Sequence, residues 1–219
     1  MYQHPLFASF SQASLEKIKQ QGYELHLEKG QPLFFQGDVA TVVYYIKSGT
    51  LKILKTSLEG QEKIFSIYPR ENLVALSTLF NEPRKYPASG VALEPSVIIA
   101  IPIEELERAI LSNEFATRAW FRHLNRRLEG VQQLLTDQVF IDAKDRFKKM
   151  IQLLMKNQAD QMEEIIVLDM PLTKQEMAEL LSIRRETFSR LLSSLKEEGC
   201  CDYSSRQLRV NRKWLDSNQ

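Results

Sequence analysis

The 219-residue chain is poor in cysteine, in histidine, in surplus charge and in long apolar runs. Its two cysteines, Cys200 and Cys201, are adjacent. Neighbouring cysteines cannot staple distant loops, and without a Cys-x-x-Cys pair there is no metal-ligand spacing. Two readings of the pair stand: reduced thiols of a cytosolic protein, or a redox sensor, which requires a lowered thiol pKa. The three histidines, His4, His26 and His123, are scattered along the sequence, and none is expected to ligate haem. Lys and Arg total 29 against 28 Asp and Glu, leaving a net charge of +1. Whole-chain charge therefore does not advertise nucleic acid, and any basic surface must be local. No apolar run approaches the ~20 residues that span a bilayer. The start, Met1-Tyr2-Gln3-His4, lacks a secretory signal pattern, so a cytoplasmic protein is expected. What remains is an ordinary globular composition, 43% hydrophobic and 26% charged, able to bury a core without disulfides. No metal or other cofactor is expected.

Periodicity divides the chain into three. Residues 1–22 read as a short helical lead-in. From Tyr23 to Ile103, short β-branched and aromatic runs alternate with turn signals. Val42-Val43-Tyr44-Tyr45-Ile46, Thr50-Leu51-Lys52-Ile53-Leu54, Lys63-Ile64-Phe65-Ser66-Ile67 and Ser96-Val97-Ile98-Ile99-Ala100-Ile101 are bounded by Gly37-Asp38, Ser48-Gly49, Glu59-Gly60 and Glu94-Pro95. That pattern predicts an antiparallel barrel or sandwich, with hairpins at Lys47-Ser48-Gly49-Thr50 and Leu58-Glu59-Gly60-Gln61. From Pro102 the period is helical. Phe121, Leu124, Leu128, Val131, Leu135 and Gln138 recur at spacings of three and four, an a/d seam suited to a dimer. The alternative is a helix lying on its own domain's core. Gly130 either permits close backbone approach or weakens the turn. Phe140-Ile141-Asp142 marks a joint, where Asp142 caps a helix burying Phe147, Met150, Ile151 and Leu154. Polar residues from Asn157 to Gln161 break that period. Ile165-Ile166-Val167-Leu168 reads as a strand closed by Pro171. The predicted fold is α+β: a sensor domain over 1–110, a long dimerisation helix over 111–139 and an effector domain over 140–219.

The densest local signal runs from Leu172 to Leu195. Thr173-Lys174-Gln175-Glu176 is a capping box, with Leu172 and Met177 as its hydrophobic staple. A short helix to about Leu181, a turn at Ser182-Ile183 and a longer helix to about Glu198 have the layout of a helix-turn-helix, with Ala178 small enough for close crossing. The alternative is a plain helical hairpin. At roughly 100° per residue, Phe188, Leu191, Leu192 and Leu195 share one arc. Arg185, Glu186, Ser189 and Arg190 share another, at the helix start, where a reading helix enters the major groove. Arginine matches guanine O6/N7, and glutamate accepts from the cytosine amine. Cys201-Asp202-Tyr203 and Gln207-Leu208-Arg209-Val210 flank Ser204-Ser205-Arg206 as a hairpin wing. Arg206 at its tip is either a phosphate contact or a plain surface charge.

These residues resemble the Crp/Fnr regulators. Thr173-Lys174-Gln175-Glu176 and Arg185-Glu186-Thr187-Phe188-Ser189-Arg190 carry the likeness. Gly37-Asp38, Tyr45-Ile46-Lys47-Ser48-Gly49-Thr50-Leu51-Lys52-Ile53, Gly60-Gln61-Glu62, Arg126-Arg127-Leu128 and Phe140-Ile141-Asp142 extend it through nearly the whole chain. The resemblance implies a non-enzymatic transcription regulator with an N-terminal antiparallel β-roll, a long dimerisation helix and a C-terminal winged helix-turn-helix. It implies a homodimer on double-stranded DNA, with half-sites ~34 Å apart in an inverted repeat and a TGTGA-like half-site. Arg185, Glu186, Ser189 and Arg190 fall at base-reading positions. Thr173, Lys174 and Gln175 fall at backbone-contact positions, with Arg184 and Thr187 beside them. By the same likeness, an exposed Asn157–Met162 loop would touch RNA polymerase. Two departures occur: Ser182 replaces the usual turn glycine, and Arg184 replaces a small hydroxyl residue, adding a phosphate contact at the cost of a cap.

The sensor departs further. Family members that bind cyclic nucleotides hold the ribose with Gly-Glu-Leu and the phosphate with Arg followed by Ser or Thr. Here those places hold Ala75-Leu76-Ser77 and Tyr86-Pro87-Ala88, and the base-facing pair aligns with Val131-Gln132. The carboxylate and cation that this chemistry needs are missing, so cyclic AMP is not expected. Arg84 and Lys85 lie nearby for some other anion. The cysteine cluster of the oxygen-sensing branch is absent too. Either an unrecognised small molecule fills the roll, or the dimer needs none. If a ligand acts, it does so by favouring one arrangement of the DNA-binding domains, with movement expected near Phe140–Asp142. Competing readings are a cupin-like enzyme, for which His26 is the only histidine in the roll, and a regulatory subunit without DNA activity.

Overall fold

The structure, a computed structural model, describes residues 4–57, 59–60, 62–155 and 164–217, with the side chains of 134 and 137–139 outside that description. It divides into two compact units, Met1–Gln132 and Gln133–Gln219.

In the first unit, α1 (Gln12–Gln21) starts at Ser11, whose hydroxyl accepts from the Ser14 N–H, and seats Ile18 in the core. Eight strands follow: β1 (Tyr23–Leu27), β2 (Pro32–Phe34), β3 (Val42–Ser48), β4 (Thr50–Thr56), β5 (Glu62–Pro69), β6 (Leu73–Val74), β7 (Ser89–Ala92) and β8 (Ser96–Pro102). Among the described residues they form two four-stranded antiparallel sheets, ordered β1-β8-β3-β6 and β2-β7-β4-β5. The strand patterns explain the placement. Val42 to Ile46 of β3 are all buried, the continuous apolar run of a central strand. In β5 only Ile64, Ile67 and Pro69 are buried, as an edge strand with one wet face requires.

The β4–β5 hairpin forms as expected, with Thr56 opposite Glu62 and Gly60 at φ +80° in the turn. The other expected hairpin is corrected. Lys47-Ser48-Gly49-Thr50 carries the chain from β3 in one sheet to β4 in the other. Gly49 is needed twice over: its φ is +85°, and a Cβ there would lie 2.1 Å from the Ser96 hydroxyl. A turn signal announces a reversal but not the sheet that receives the next strand.

Helix α2 (Ile103–Leu111) buries Leu106 and Ile110 against the roll. Asn113 Oδ1 then accepts from the Ala116 N–H at 2.9 Å, opening α3 (Glu114–Phe140). Ala116 and Trp120 face the core of the first unit. The seam residues do not: Phe121, Leu128, Val131 and Leu135 are all more than half exposed, and Leu124 is 38% exposed. The reading in which this seam packs on its own domain's core is therefore set aside. Gln138, the last seam position, has its side chain outside the described residues.

In the second unit, Asp142 Oδ1 accepts from the Asp145 N–H at 2.9 Å and caps α4 (Ala143–Met155). Phe147, Met150, Ile151 and Leu154 are its buried residues, the four that the period picks out. The Asn157–Met162 stretch lies outside the described residues. Strand β9 (Ile165–Asp169), α5 (Lys174–Leu180), α6 (Arg185–Glu197), β10 (Cys201–Ser204), β11 (Gln207–Asn211) and α7 (Arg212–Asp216) complete the unit. The three strands form one antiparallel sheet, β10-β11-β9. The rings of Phe147 and Phe188 meet edge-on at 5.3 Å, pinning α4 to α6.

Candidate nucleic-acid interface

The capping box of α5 is complete. Thr173 Oγ1 accepts from the Glu176 N–H at 3.2 Å, and Glu176 Oε2 accepts from the Thr173 N–H at 2.8 Å. Leu172 and Met177 are fully buried beside it. The helix closes at Leu181, and the Ile183 N–H donates back to the Ala178 carbonyl at 3.0 Å. Ala178 is fully buried. Ser182 sits at φ +54°, the left-handed conformation that a glycine adopts at lower cost. Arg184 is the N-cap of α6 and makes no side-chain capping bond. The cost of both sequence departures is visible in the backbone.

Helix α6 buries Phe188, Leu192 and Leu195 and leaves Arg185, Glu186 and Arg190 exposed. Ser189, Thr187 and Leu191 are half-buried. Among the described residues, the side chains of Arg184, Arg185, Glu186 and Arg190 make no hydrogen bond or ion pair. Arg184 and Arg185 also stand at the positive end of the helix dipole, which disfavours cations. Among the described residues nothing in this unit compensates them; a phosphate backbone would.

The wing is a two-residue hairpin. Ser204 pairs with Gln207, and Ser205 and Arg206 take φ +50° and +64°, the geometry that matches strand twist. The Arg206 carbonyl accepts from the Met170 N–H at 2.8 Å, and its side chain is exposed. Two further backbone-contact candidates are locally engaged. Lys174 Nζ lies 5.5 Å from the centre of the Tyr203 ring, a cation–π contact. Gln175 Nε2 donates to Glu179 Oε1 at 2.9 Å. Cys200 and Cys201 are free and buried. Burial pushes the Cys201 thiol up to about 12 and moves Cys200 in the same direction. That is the opposite of what a redox sensor needs, and the sensor reading of the pair is withdrawn.

In the roll, the places that the family resemblance aligns with ribose and phosphate contacts hold other side chains. Leu76 and Tyr86 are buried. Tyr86 Oη donates to the Val42 carbonyl at 2.9 Å and lies 3.2 Å from Tyr44 Oη. Phe34 stacks on both tyrosine rings, at 4.4 Å and 5.3 Å. Burial raises both phenol pKa values. The tyrosine that the family resemblance aligns with a phosphate-binding arginine is thus part of the core. Of the two other anion candidates, Arg84 donates to Glu107 at 2.7 Å and Lys85 is exposed. A cavity of about 240 Å³ remains, bordered by Ile53, Lys55, Phe65, Tyr68, Leu76 and Arg127. Sequence reading missed this group because its members come from β4, β5, the turn after β6 and α3.

The histidines are also corrected. Only His26 stands apart, 3.1 Å from Glu24. The His4 and His123 rings meet at 5.1 Å, with His123 stacked on Trp120. Burial, reinforced by Arg126 and Arg127, lowers both imidazoles to about 4.

Comparison with known proteins agrees with this geometry. Residues 24–113, β1 through α2, match the cyclic nucleotide-binding domain, and residues 148–215, α4 through α7, match the Crp-like helix-turn-helix domain. The anaerobic regulatory protein of Bacillus subtilis is 25% identical over 173 residues, 79% of this chain and 73% of that protein. The global nitrogen regulator of a Nostoc species is 26% identical over 194 residues, 88% and 86% of the two chains. The chain belongs to the Crp/Fnr family. The solved structure of FixK2 from Bradyrhizobium japonicum shares its fold at TM-score 0.74 and 17% identity, covering 90% of this chain and 98% of that one. As a Crp/Fnr protein the chain is a DNA-binding transcription regulator. Among the described residues, no helix is long and apolar enough to cross a membrane.

Proposed function

We propose that this Crp/Fnr protein acts as a homodimer that reads an inverted-repeat operator through the start of α6, and that its roll does not answer to cyclic AMP. The single observation carrying the reading is the exposed cluster of Arg185, Glu186 and Arg190, polar and unpaired among the described residues, at the mouth of a helix-turn-helix. Arg185 and Arg190 are assigned to guanine edges, Glu186 to a cytosine amine and Ser189 to an adjacent base. Arg184, Thr187, Thr173, Lys174, Gln175 and Arg206 are assigned to the backbone, which fixes register without reading sequence. For that role Lys174 leaves the Tyr203 ring and Gln175 leaves Glu179.

The dimer is supported by the bare seam of α3. Five large apolar side chains in a row on one helix face are costly in water, and a second copy covers them. A Cβ on Gly130 would meet open space, so only another chain would use the close approach it allows. Two-fold symmetry then sets a half-site spacing of about 34 Å, and the family resemblance implies a TGTGA-like half-site. Bound at a promoter, the dimer would contact RNA polymerase, as the family resemblance implies.

Selection of bound duplexes from random DNA tests this directly. An inverted repeat is the expected product. The same experiment with Leu124→Glu/Leu128→Glu, monomeric by sedimentation, is expected to lose about 10²–10⁴-fold in affinity. A monomeric wild type, or equal grip on all duplexes at moderate salt, overturns the reading.

A further inference from the structure

We propose that Tyr203 is a further DNA-backbone contact, whose hydroxyl donates to the same phosphate that takes the Lys174 ammonium. The inference rests on the reading that this unit grips an operator, and it adds to that grip an uncharged residue of the wing strand.

Tyr203 lies on β10 directly opposite Leu208 of β11, and Cys201, two residues earlier, lies opposite Val210. Strand alternation puts these four side chains on one face. Cys201, Leu208 and Val210 are buried, whereas Tyr203 is half-buried. It is the last residue of that face before the exposed turn of Ser205 and Arg206. A phenol at the rim of a core keeps its ring on the apolar side and its polar end within reach of water. The Tyr203 hydroxyl makes no hydrogen bond among the described residues. Lys174 Nζ lies 5.5 Å from the ring centre. Burial raises the phenol pKa against the pull of the Arg206 guanidinium, so at neutral pH the hydroxyl holds a proton that it can donate.

Charge singles out the partner. Lys174, Tyr203 and Arg206 come from α5, the wing strand and the wing tip, and none of them meets a carboxylate among the described residues. The two acidic residues of the three strands are engaged elsewhere: Asp202 with Lys196 at 3.0 Å, and Asp169 with Gln207 at 3.0 Å. Two cations and a neutral donor without a counter-charge suit an anion, and in a helix-turn-helix protein that anion is a DNA phosphate. An ammonium over a ring is held less firmly than one hydrogen-bonded to an anion. Lys174 therefore moves from the ring to the phosphate, and the phenol beside it donates to another oxygen of the same group. Tyr203 acts twice. In the free protein its ring keeps Lys174 close to the place where it is needed, and in the complex its hydroxyl takes up a phosphate oxygen. Such a contact fixes register and reads no base.

The test is fluorescence anisotropy of the full chain on its selected operator and on a scrambled duplex, over a series of salt concentrations. Tyr203→Phe is expected to weaken binding to both duplexes about tenfold, with operator preference kept. A phenol carries no charge, so in that variant the slope of log affinity against log salt should not change. Lys174→Gln should lower the slope by about one. Tyr203→Phe keeps the ring, and its melting temperature should match the wild type. Operators carrying one neutral methylphosphonate at a time locate the contact. At one linkage per half-site the penalty of Tyr203→Phe should vanish, and the slope effect of Lys174→Gln should vanish at the same linkage. Wild-type affinity in Tyr203→Phe overturns the assignment, as does a changed salt slope, a changed operator preference or a lowered melting temperature in that variant. A penalty that survives at every linkage, or different linkages for the two residues, overturns it as well. A protein that selects an operator and fails this test loses only this inference. A protein that grips all duplexes equally loses the operator reading instead, and a tenfold Tyr203→Phe penalty on those duplexes would still support the phosphate contact.

Discussion

The start of α6 and the wall of the roll treat polar side chains in opposite ways. At α6, Arg185, Glu186 and Arg190 are exposed and have no partner among the described residues, and the helix dipole works against Arg184 and Arg185. In the roll, the place that the family resemblance aligns with a phosphate-binding arginine is Tyr86, whose hydroxyl is tied to Val42 and Tyr44. One region leaves hydrogen-bonding groups unsatisfied for a partner, while the other satisfies them internally and closes.

The harshest way to break this comparison is to rebuild nucleotide chemistry in the roll. Leu76→Glu with Tyr86→Arg places two charges where the native side chains are buried. The expected cost is about 4–5 kcal/mol, read as loss of the cooperative melt, with no gain of cyclic AMP binding by titration. A folded variant that binds cyclic AMP would show that the roll had only lost two side chains and not its site. At α6 the matching change is mild to the fold and severe to recognition. Arg190→Ala should leave the melting temperature near wild type, cost ~1–3 kcal/mol of operator affinity and relax one base position. Anisotropy on operator variants measures both.

The histidine pair sharpens the comparison from the side of the roll. His4 and His123 bind protons near pH 4 in the folded state but near 6.5 when unfolded. Between those values the unfolded chain holds more protons, so stability falls as pH drops from 6.5 to 4 and levels off below. After allowance for partial exposure, the pair should contribute ~1–2 kcal/mol of that loss. The His4→Phe/His123→Phe variant should flatten that part of the melting-temperature profile without touching DNA binding at neutral pH. The smallest effect belongs to the turn. Ser182→Gly removes a left-handed serine and should stabilise the second unit by about 0.5–1 kcal/mol, with operator preference unchanged by selection. A change in preference would mean that the turn positions α6 more finely than its hydrogen bonds indicate.

Local chemistry is legible in the sequence. The Thr173 capping box, the Asp142 cap, the four inward residues of α4 and the polar arc of α6 follow from interactions within a few residues of one another. Spacing on a helix fixes which side chains share a face. The exposed seam of α3 was legible for the same reason. The errors had one source. Gly49 correctly marked a reversal, but only the packing of two sheets determined that β4 leaves β3. His4 and His123 lie 119 positions apart, counting from 4 to 123, and meet because the chain before α1 folds back onto α3.

Sequence by itself determined the helix faces, the caps, the turn residues and the family of this protein, because each depends on short-range geometry or on ordered motifs. Tertiary structure alone decided what those residues surround. Lys55 on β4, Tyr68 on β5, Leu76 after β6 and Arg127 on α3 border one cavity, and Tyr86 is core rather than ligand contact. No local period carries that information, because it is set by how sheets and helices close over side chains distant in the chain.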